Sequence, residues 1–366
     1  MSKLSLEAKI VLILSLILTV FGVYMVFSAS RVWALAKYND QYYFLKRQAI
    51  FAIIGIFALI VLSKVNLEKL IQKSHLLFLI SFILLIIVLI PKIGVVRNGS
   101  QSWIGVGVIA FQPSEIFKIA AILFVSKCLS IYYPQTKYFW KSIVPILLPS
   151  LVGFLLIMLQ PDLGTGIVLL ASIIIMTMIS KAKIKNYLLL GVFALGAFAV
   201  LVITKPYRMQ RITAFINPFE DPLGSGFQII QSLYAIGPGG ILGLGIDGSI
   251  QKHFYLPEPQ TDFIYAIVCE EFGFVGALFI LLIFGYLLYY GLKIALLSKN
   301  LSFCFLSVGI IALIGVQVVI NLGVVVGLLP VTGITLPFIS YGGTSLIIVL
   351  ASIGLLINAG KKENLI

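Results

Sequence analysis

From Ile10 to Ala29 the chain runs twenty residues without a charged side chain. Nine further apolar stretches follow, at about 48–63, 75–91, 115–131, 142–159, 164–180, 186–204, 262–292, 302–328 and 343–359. Wound at ~1.5 Å per residue, such runs approach the ~30 Å hydrocarbon core of a bilayer. In lipid every backbone N–H and C=O must pair internally, which leaves helices or closed barrels. Barrel strands alternate apolar and polar residues, and these runs do not. The expected fold class is therefore an all-α polytopic membrane protein with ten transmembrane helices. Composition agrees: 60% of the 366 residues are hydrophobic and 11% charged, where a soluble domain has about a quarter charged. Mean hydropathy is +1.12. The first run is too long for a secretory leader, and Phe27-Ser28-Ala29-Ser30 is a poor cleavage site, so it reads as an uncleaved span.

Orientation follows from Lys and Arg, which favour the cytoplasmic side. With the N-terminus inside, the inner segments hold fifteen of them and the outer segments ten, with Lys118 inside a span. The inner segments are short, where this bias acts most strongly. Both termini are expected in the cytoplasm, and one large extracytoplasmic loop, about 205–261, joins helices seven and eight of a single 1–366 membrane domain. The formal charge of +13 then reflects topology and attraction to anionic headgroups, and no nucleic-acid motif accompanies it. Cys128, Cys269 and Cys304 match no metal spacing and read as small apolar packing groups. His75 and His253 stand alone and are not expected to be ligands.

The large loop concentrates the charge of a chain that has little. It holds Arg208, Arg211, Glu220, Asp221, Asp247, Lys252 and Glu258, and ends at Asp262 where the next span begins. Three other outer segments break the apolar pattern: Arg97 to Lys118, Gln160-Pro161-Asp162-Leu163-Gly164-Thr165-Gly166, and Gly327 to Ser345. Irregular backbone at membrane depth is tolerated where it lines protein or a water-filled cavity. Four such segments on one side predict an outer cavity, and candidate chemistry belongs there.

Asp262 has two readings. It suits a helix N-cap, or a general base at the water–lipid boundary. Glu270 and Glu271 are on the same helix, but eight residues put Glu270 ~12 Å from Asp262 along the axis. That exceeds the ~5–10 Å of paired glycosidase carboxylates, so Glu270 and Glu271 read as helix-bonding or cavity-lining acids. Arg208, Arg211 and Lys252 suit a phosphate or diphosphate, against interfacial snorkelling for the arginines. Glu115 and Lys118 share a helix face and read as a site pair or as an ion pair fixing two helices. Trp103 is an interface anchor or a sugar-stacking ring. Asp162 reads as a turn and cap residue, and the Gly342-Gly343 pair after Ser340 permits a tight turn. There is no P-loop and no dinucleotide motif.

At this point the residues resemble a known family. Tyr207 to Pro222, Gln228 to Gly237, Gln251-Lys252, Tyr255-Leu256-Pro257-Glu258 and Thr261 to Gly273 look like the SEDS family of bacterial cell-wall proteins. So do Phe111 to Glu115, Pro161 to Thr165, Leu329 to Gly333 and Phe338 to Gly343. The likeness covers essentially the whole chain in order. Gln251-Lys252 before Tyr-Leu-Pro-Glu, and Pro330-Val331-Thr332-Gly333, resemble the FtsW/SpoVE branch more than the RodA branch.

The resemblance implies a peptidoglycan glycosyltransferase that polymerises lipid II outside the cytoplasmic membrane. Its implied setting is the division septum, beside a class B penicillin-binding protein and other division proteins. The family's essential loop aspartate maps onto Asp262, its loop cations onto Lys252, Arg208 and Arg211, and its cavity residues onto Trp103, Glu115 and Lys118. Glu258 and Ser340 lie in matching motifs and join the candidate substrate-binding set. Two positions depart: Ser102 stands where a basic residue often precedes the tryptophan, and Gln260 stands where histidine is common. In the implied reaction Asp262 takes the proton of an acceptor 4-hydroxyl. The cationic side chains, or a divalent cation such as Mg or Mn, stabilise the departing lipid diphosphate. A lipid II flippase and a non-enzymatic scaffold are the competing readings.

Overall fold

The computed structural model describes residues 4–97, 99–106, 109–203 and 206–365. Lys3 and Lys205 of the charge count, the start of the expected loop at 205, and Asn98 lie outside the described residues. The helices in chain order are α1 (Leu6–Tyr38), α2 (Tyr43–Leu62), α3 (Leu67–Gln72) and α4 (Ser74–Ile87). After the strands β1 (Gly94–Arg97), β2 (Ser100–Val106) and β3 (Ile109–Phe111) come α5 (Pro113–Ile131), α6 (Phe139–Leu159), α7 (Leu163–Met178) and α8 (Ile184–Ile203). Then follow α9 (Pro206–Ile216), α10 (Phe227–Gly239), α11 (Ile264–Leu297), α12 (Leu301–Val325) and α13 (Gly343–Ala359).

Each expected apolar stretch falls on one of these helices. Five of them, α1, α2, α6, α11 and α12, are long and apolar enough to cross a membrane. Four more apolar helices are shorter: α4, α7, α13 and the Ile184–Gly196 part of α8. Their length falls below the ~20 residues that a straight crossing needs. α5 carries Glu115, Lys118 and Lys127.

Caps fix the ends. The Ser5 hydroxyl accepts from Ala8 N at 3.1 Å to open α1, and Asn39, in the left-handed region at φ 54°, closes it. Asn300 caps α12. α1 packs on α2 and α11, α11 on α12, α12 on α5 and α7, and α13 on α2. Between them Leu18, Met25, Phe117, Ile122, Phe284 and Leu350 are fully buried. Large apolar side chains such as Ile53, Phe57, Leu155, Leu159 and Phe279 face outward. That distribution is stable only in lipid.

The ends of the chain meet on one face. Leu4 bridges Lys361, Ser298 bridges Leu365, and Lys293 pairs with Glu7 at 2.9 Å. Arg31 lies 25 residues beyond Leu6 on the single helix α1, which sets it ~38 Å away, toward the opposite face.

Three features were not expected. The first outer segment is an antiparallel sheet in the order β1-β2-β3, with Val95 opposite Trp103 and Ile104 opposite Phe111. The expected loop contains the helices α9 and α10. Most important, the span expected at 262–292 starts at Ile264 and is broken at Gly273, which has φ 62° and ψ −163°. At the break the carbonyls of Glu270 and Glu271 accept from Leu244 N (2.9 Å) and Gly245 N (3.0 Å). Phe274 N and Val275 N donate to Gly240 O (2.9 Å) and Ile241 O (3.1 Å). A piece of the loop is thus spliced into the helix by backbone hydrogen bonds, which satisfies the groups the break exposes.

Candidate functional site

Asp262 precedes α11 by two residues, and its carboxylate makes no capping bond to that helix. It is half-buried and accepts from the Thr261 hydroxyl at 2.9 Å. Burial pushes its pKa above the ordinary value. The Thr261 bond and the Arg211 charge pull the other way, and Glu258 adds to the rise. The cap position of α11 falls to Phe263, and Asp262 beside it is a carboxylate with raised proton affinity.

Its backbone is held from outside the loop. Asn321 on α12 donates its amide to the Asp262 carbonyl and to the Ile334 carbonyl, each at 2.7 Å. Tyr341 N donates to Gln260 O at 2.8 Å. Asn321 is buried and was not among the expected residues. Its signal was legible: an amide in an apolar helix is costly unless bonded, and Gln317 lies one turn before it on the same face. Replacing Asn321 by Leu strands the buried carbonyl of Ile334, at about 1–3 kcal/mol, and frees the part-buried carbonyl of Asp262. Asn321→Leu is expected to lower the turnover of the Asp262 site about tenfold, a loss of ~1.4 kcal/mol of transition-state stabilisation, while the protein still inserts. Wild-type turnover in that variant would remove the clamp from the site.

The arginines are on α9. Arg211 Nη1 donates to Val331 O at 3.1 Å, which joins this helix to the Gly327–Ser345 segment. Arg208 is buried. Glu258 is half-buried with φ 42°, and its carbonyl accepts from Thr261 N and Thr261 Oγ1. Ser340 is buried, its hydroxyl accepting from Leu336 N at 2.8 Å and its carbonyl from Gln48 Nε2 at 3.1 Å. It shapes the turn before α13.

Glu115 and Lys118 form a buried ion pair of 2.8 Å within α5, not the link between two helices that their spacing had left open. The Glu115 Oε2 atom has no hydrogen-bond partner among the described residues. Nearby, Asp162 caps α7 through Thr165 N (3.1 Å) and accepts from Gln112 Nε2 (2.9 Å), as its turn-and-cap reading requires. Trp103 is half-buried on β2. Ser102 is buried and accepts from the Ser100 hydroxyl.

Lys252 departs most from expectation. Its ammonium is buried and pairs with Asp247 and, at 3.1 Å, with Glu271. Arg31 on α1 pairs with the other Asp247 oxygen at 2.7 Å, and Ser28 donates to Glu271 at 2.6 Å. Burial pushes the Asp247 pKa up, but Lys252 and Arg31 outweigh it and leave the carboxyl below its ordinary value. Taking Lys252 away to a phosphate strands Glu271 in the interior, at about 3–5 kcal/mol for such pairs. The structure gives the Lys252 ammonium internal partners where a diphosphate was expected. Among the described residues no three His, Cys, Asp or Glu side chains gather to hold a metal.

Sequence comparison decides the family. The model of the cell cycle protein family that groups FtsW, RodA and SpoVE matches residues 8–365. This chain belongs to that family. It is 51% identical to stage V sporulation protein E of Bacillus subtilis (strain 168) over 96% of both chains. It is 41% identical to a probable peptidoglycan glycosyltransferase FtsW of Geobacter sp. (strain M18), again over 96% of both. Among solved structures, a chain from a peptidoglycan synthase complex superposes with a TM-score of 0.76 at 33% identity, covering 95% of each. The crystal structure of Thermus thermophilus RodA gives 0.70 at 29% identity, covering 95% of this chain and 94% of that one. The family's polytopic helical fold is shared, and the protein is an integral membrane protein.

Proposed function

We propose that this family member is a peptidoglycan glycosyltransferase that polymerises lipid II at the outer face of the bacterial cytoplasmic membrane. The observation that carries the reading is Asp262: a half-buried carboxylate of raised proton affinity, not used as a helix cap, on a backbone clamped by Asn321. Asp262 removes the proton from the 4-hydroxyl of the acceptor sugar. That oxygen attacks the anomeric carbon of the donor, the carbon–oxygen bond to the lipid diphosphate breaks, and the configuration inverts. The diphosphate leaves as an anion, so no paired acid is needed. Arg208 and Arg211 on α9 supply positive charge for it. Glu115, Lys118, Trp103, Glu258 and Ser340 line or shape the substrate cavity, and a divalent cation is a candidate companion of the diphosphate.

The ten apolar helices all cross the bilayer, the shorter ones at its thinned or protein-lined parts. Both termini are cytoplasmic, and the stretch of about 205–261 forms the outer loop of one membrane domain. The partner is a class B penicillin-binding transpeptidase, a reading supported by the likeness to a chain of a synthase complex that couples polymerization and crosslinking. The setting is septal wall synthesis with other division proteins. The 51% identity to a sporulation protein supports a second setting, sporulation.

The test is direct. The protein is purified with a class B penicillin-binding partner and incubated with lipid II and a divalent cation, and glycan products are resolved on a gel. A ladder is expected. Transbilayer movement of labelled lipid II in vesicles without any polymer would replace the polymerase by a flippase.

A further inference from the structure

The outer loop is tied down by two adjacent carboxylates that the polymerisation chemistry does not use. Glu270 Oε1 accepts from Ile250 N at 2.9 Å and Gln251 N at 3.3 Å, and its Oε2 accepts from the Ser249 hydroxyl at 2.5 Å. Glu271 takes the Lys252 ammonium and the Ser28 hydroxyl. Both acids are buried, at 0% and 1% exposure. They are placed just before the Gly273 break, and the same two residues give their carbonyls to Leu244 N and Gly245 N. Side chain and main chain of one dipeptide thus hold two stretches of the loop, 244–245 and 249–252. Lys252 closes the arrangement from the loop side, with its ammonium also on the Asp247 carbonyl at 2.8 Å. Arg31 fastens Asp247 to α1.

We infer that Lys252, Glu270 and Glu271 are positioning residues that lock the outer loop onto the first segment of α11, the segment that Asp262 leads into. Charge supports this over a ligand role. Lys252 and Arg31 balance Asp247 and Glu271, and Glu270 is satisfied by backbone N–H groups and a hydroxyl. The charges of Lys252, Arg31, Asp247 and Glu271 cancel, so the Lys252 ammonium already has its counter-ions inside the protein, and Asp247 and Glu271 each lose a partner if it swings away to an anionic diphosphate. The catalytic meaning of the lock rests on the polymerase reading, with Asp262 as base. A loop released from α11 shifts Asp262 relative to both sugars, and a shift of ~1 Å costs on the order of 100-fold in rate.

The experiment compares Lys252→Met, Glu271→Gln and the double variant, each in the full chain with its penicillin-binding partner. Lys252→Met is expected to lower kcat about 100-fold and leave KM for lipid II within about threefold, because ground-state binding is untouched and the loss is in transition-state orientation. The double variant, which no longer buries an unpaired carboxylate, is expected to regain at least tenfold over Lys252→Met. Hydrogen exchange supplies a readout independent of turnover. The amides of 247–252 are protected in the wild type, exchange faster in Lys252→Met, and regain protection in the double variant. A rise in KM at unchanged kcat makes Lys252 a substrate ligand and overturns the inference, as does equal exchange in wild type and Lys252→Met. A wild type that makes no polymer, but shows this exchange pattern, keeps the lock and removes the polymerase reading.

Discussion

Asp262→Asn is expected to abolish glycan polymerisation to within the limit of a gel assay, a fall of about 10²–10⁴-fold if the residue is the general base. The amide keeps the volume and can still bond the Thr261 hydroxyl, so the fold is retained. It cannot accept the proton of an acceptor 4-hydroxyl. The backbone clamp from Asn321 holds the Asp262 carbonyl, not its side chain, and survives the substitution. A pH profile sharpens the test. Burial raises the Asp262 pKa above the ordinary 3.8. Below the raised value the carboxyl is protonated and cannot act as a base, so kcat/KM rises with pH through that value. The acidic limb is expected above the ordinary aspartate range in the wild type and absent from the residual activity of Asp262→Asn. A variant that keeps near wild-type turnover, or keeps the limb, transfers the base to another group. Glu258 is then the first to examine, since its charge acts on Asp262.

What the sequence made legible was whatever depends on local pattern. Apolar runs announce helices because lipid admits little else, and every expected stretch is helical. Asp162 was readable as a cap from the Pro-Asp-Leu-Gly pattern. The residues of the candidate Asp262 site stood out because charge at a span boundary needs a reason. Their partners were not found, because partnership is a matter of tertiary contact. Ser28 and Glu271 are 243 residues apart, and nothing in the period of either helix points at the other. Lys252 looked available to a phosphate because its loop looked polar and open. It is buried because Glu271 reaches back to it, and Glu270 to residues 249–251 just before it, from within one helix turn of a hidden break. The sheet at β1-β2-β3 and the helices α9 and α10 were missed for a different reason. Strands of 3–7 residues and helices of 11 and 13 residues carry too few periods to rise above the surrounding Gly and Pro signals.

Gly273→Ala is the second large effect. Glycine here does what no other residue can: its φ of 62° with ψ −163° is a region essentially closed to side chains, worth about 1–3 kcal/mol of strain. Space adds to conformation. A Cβ on Gly273 would meet Gly243 N at 2.3 Å and Ile241 C at 2.6 Å, and these are backbone atoms that cannot rotate away. The reciprocal contact is as close, since a Cβ on Gly243 would meet Glu271 O at 2.2 Å. Overpacking of this kind costs a further ~1–3 kcal/mol, so Gly273→Ala is expected to lose about 2–6 kcal/mol, or to expel the spliced loop segment. Expulsion frees the carbonyls of Glu270 and Glu271 and the N–H groups of Phe274 and Val275. Either outcome lowers the thermal midpoint in detergent, exposes the loop near Leu244 to protease, and removes polymerisation together with it. Alanine at Gly285, where the added carbon meets nothing within 4 Å, is the control. It lies on the same helix beyond the break, and its midpoint should match the wild type. If Gly273→Ala unfolds no earlier than Gly285→Ala and cleaves no faster, the splice does not hold the loop, and the coupling between the break in α11 and the Asp262 site falls with it.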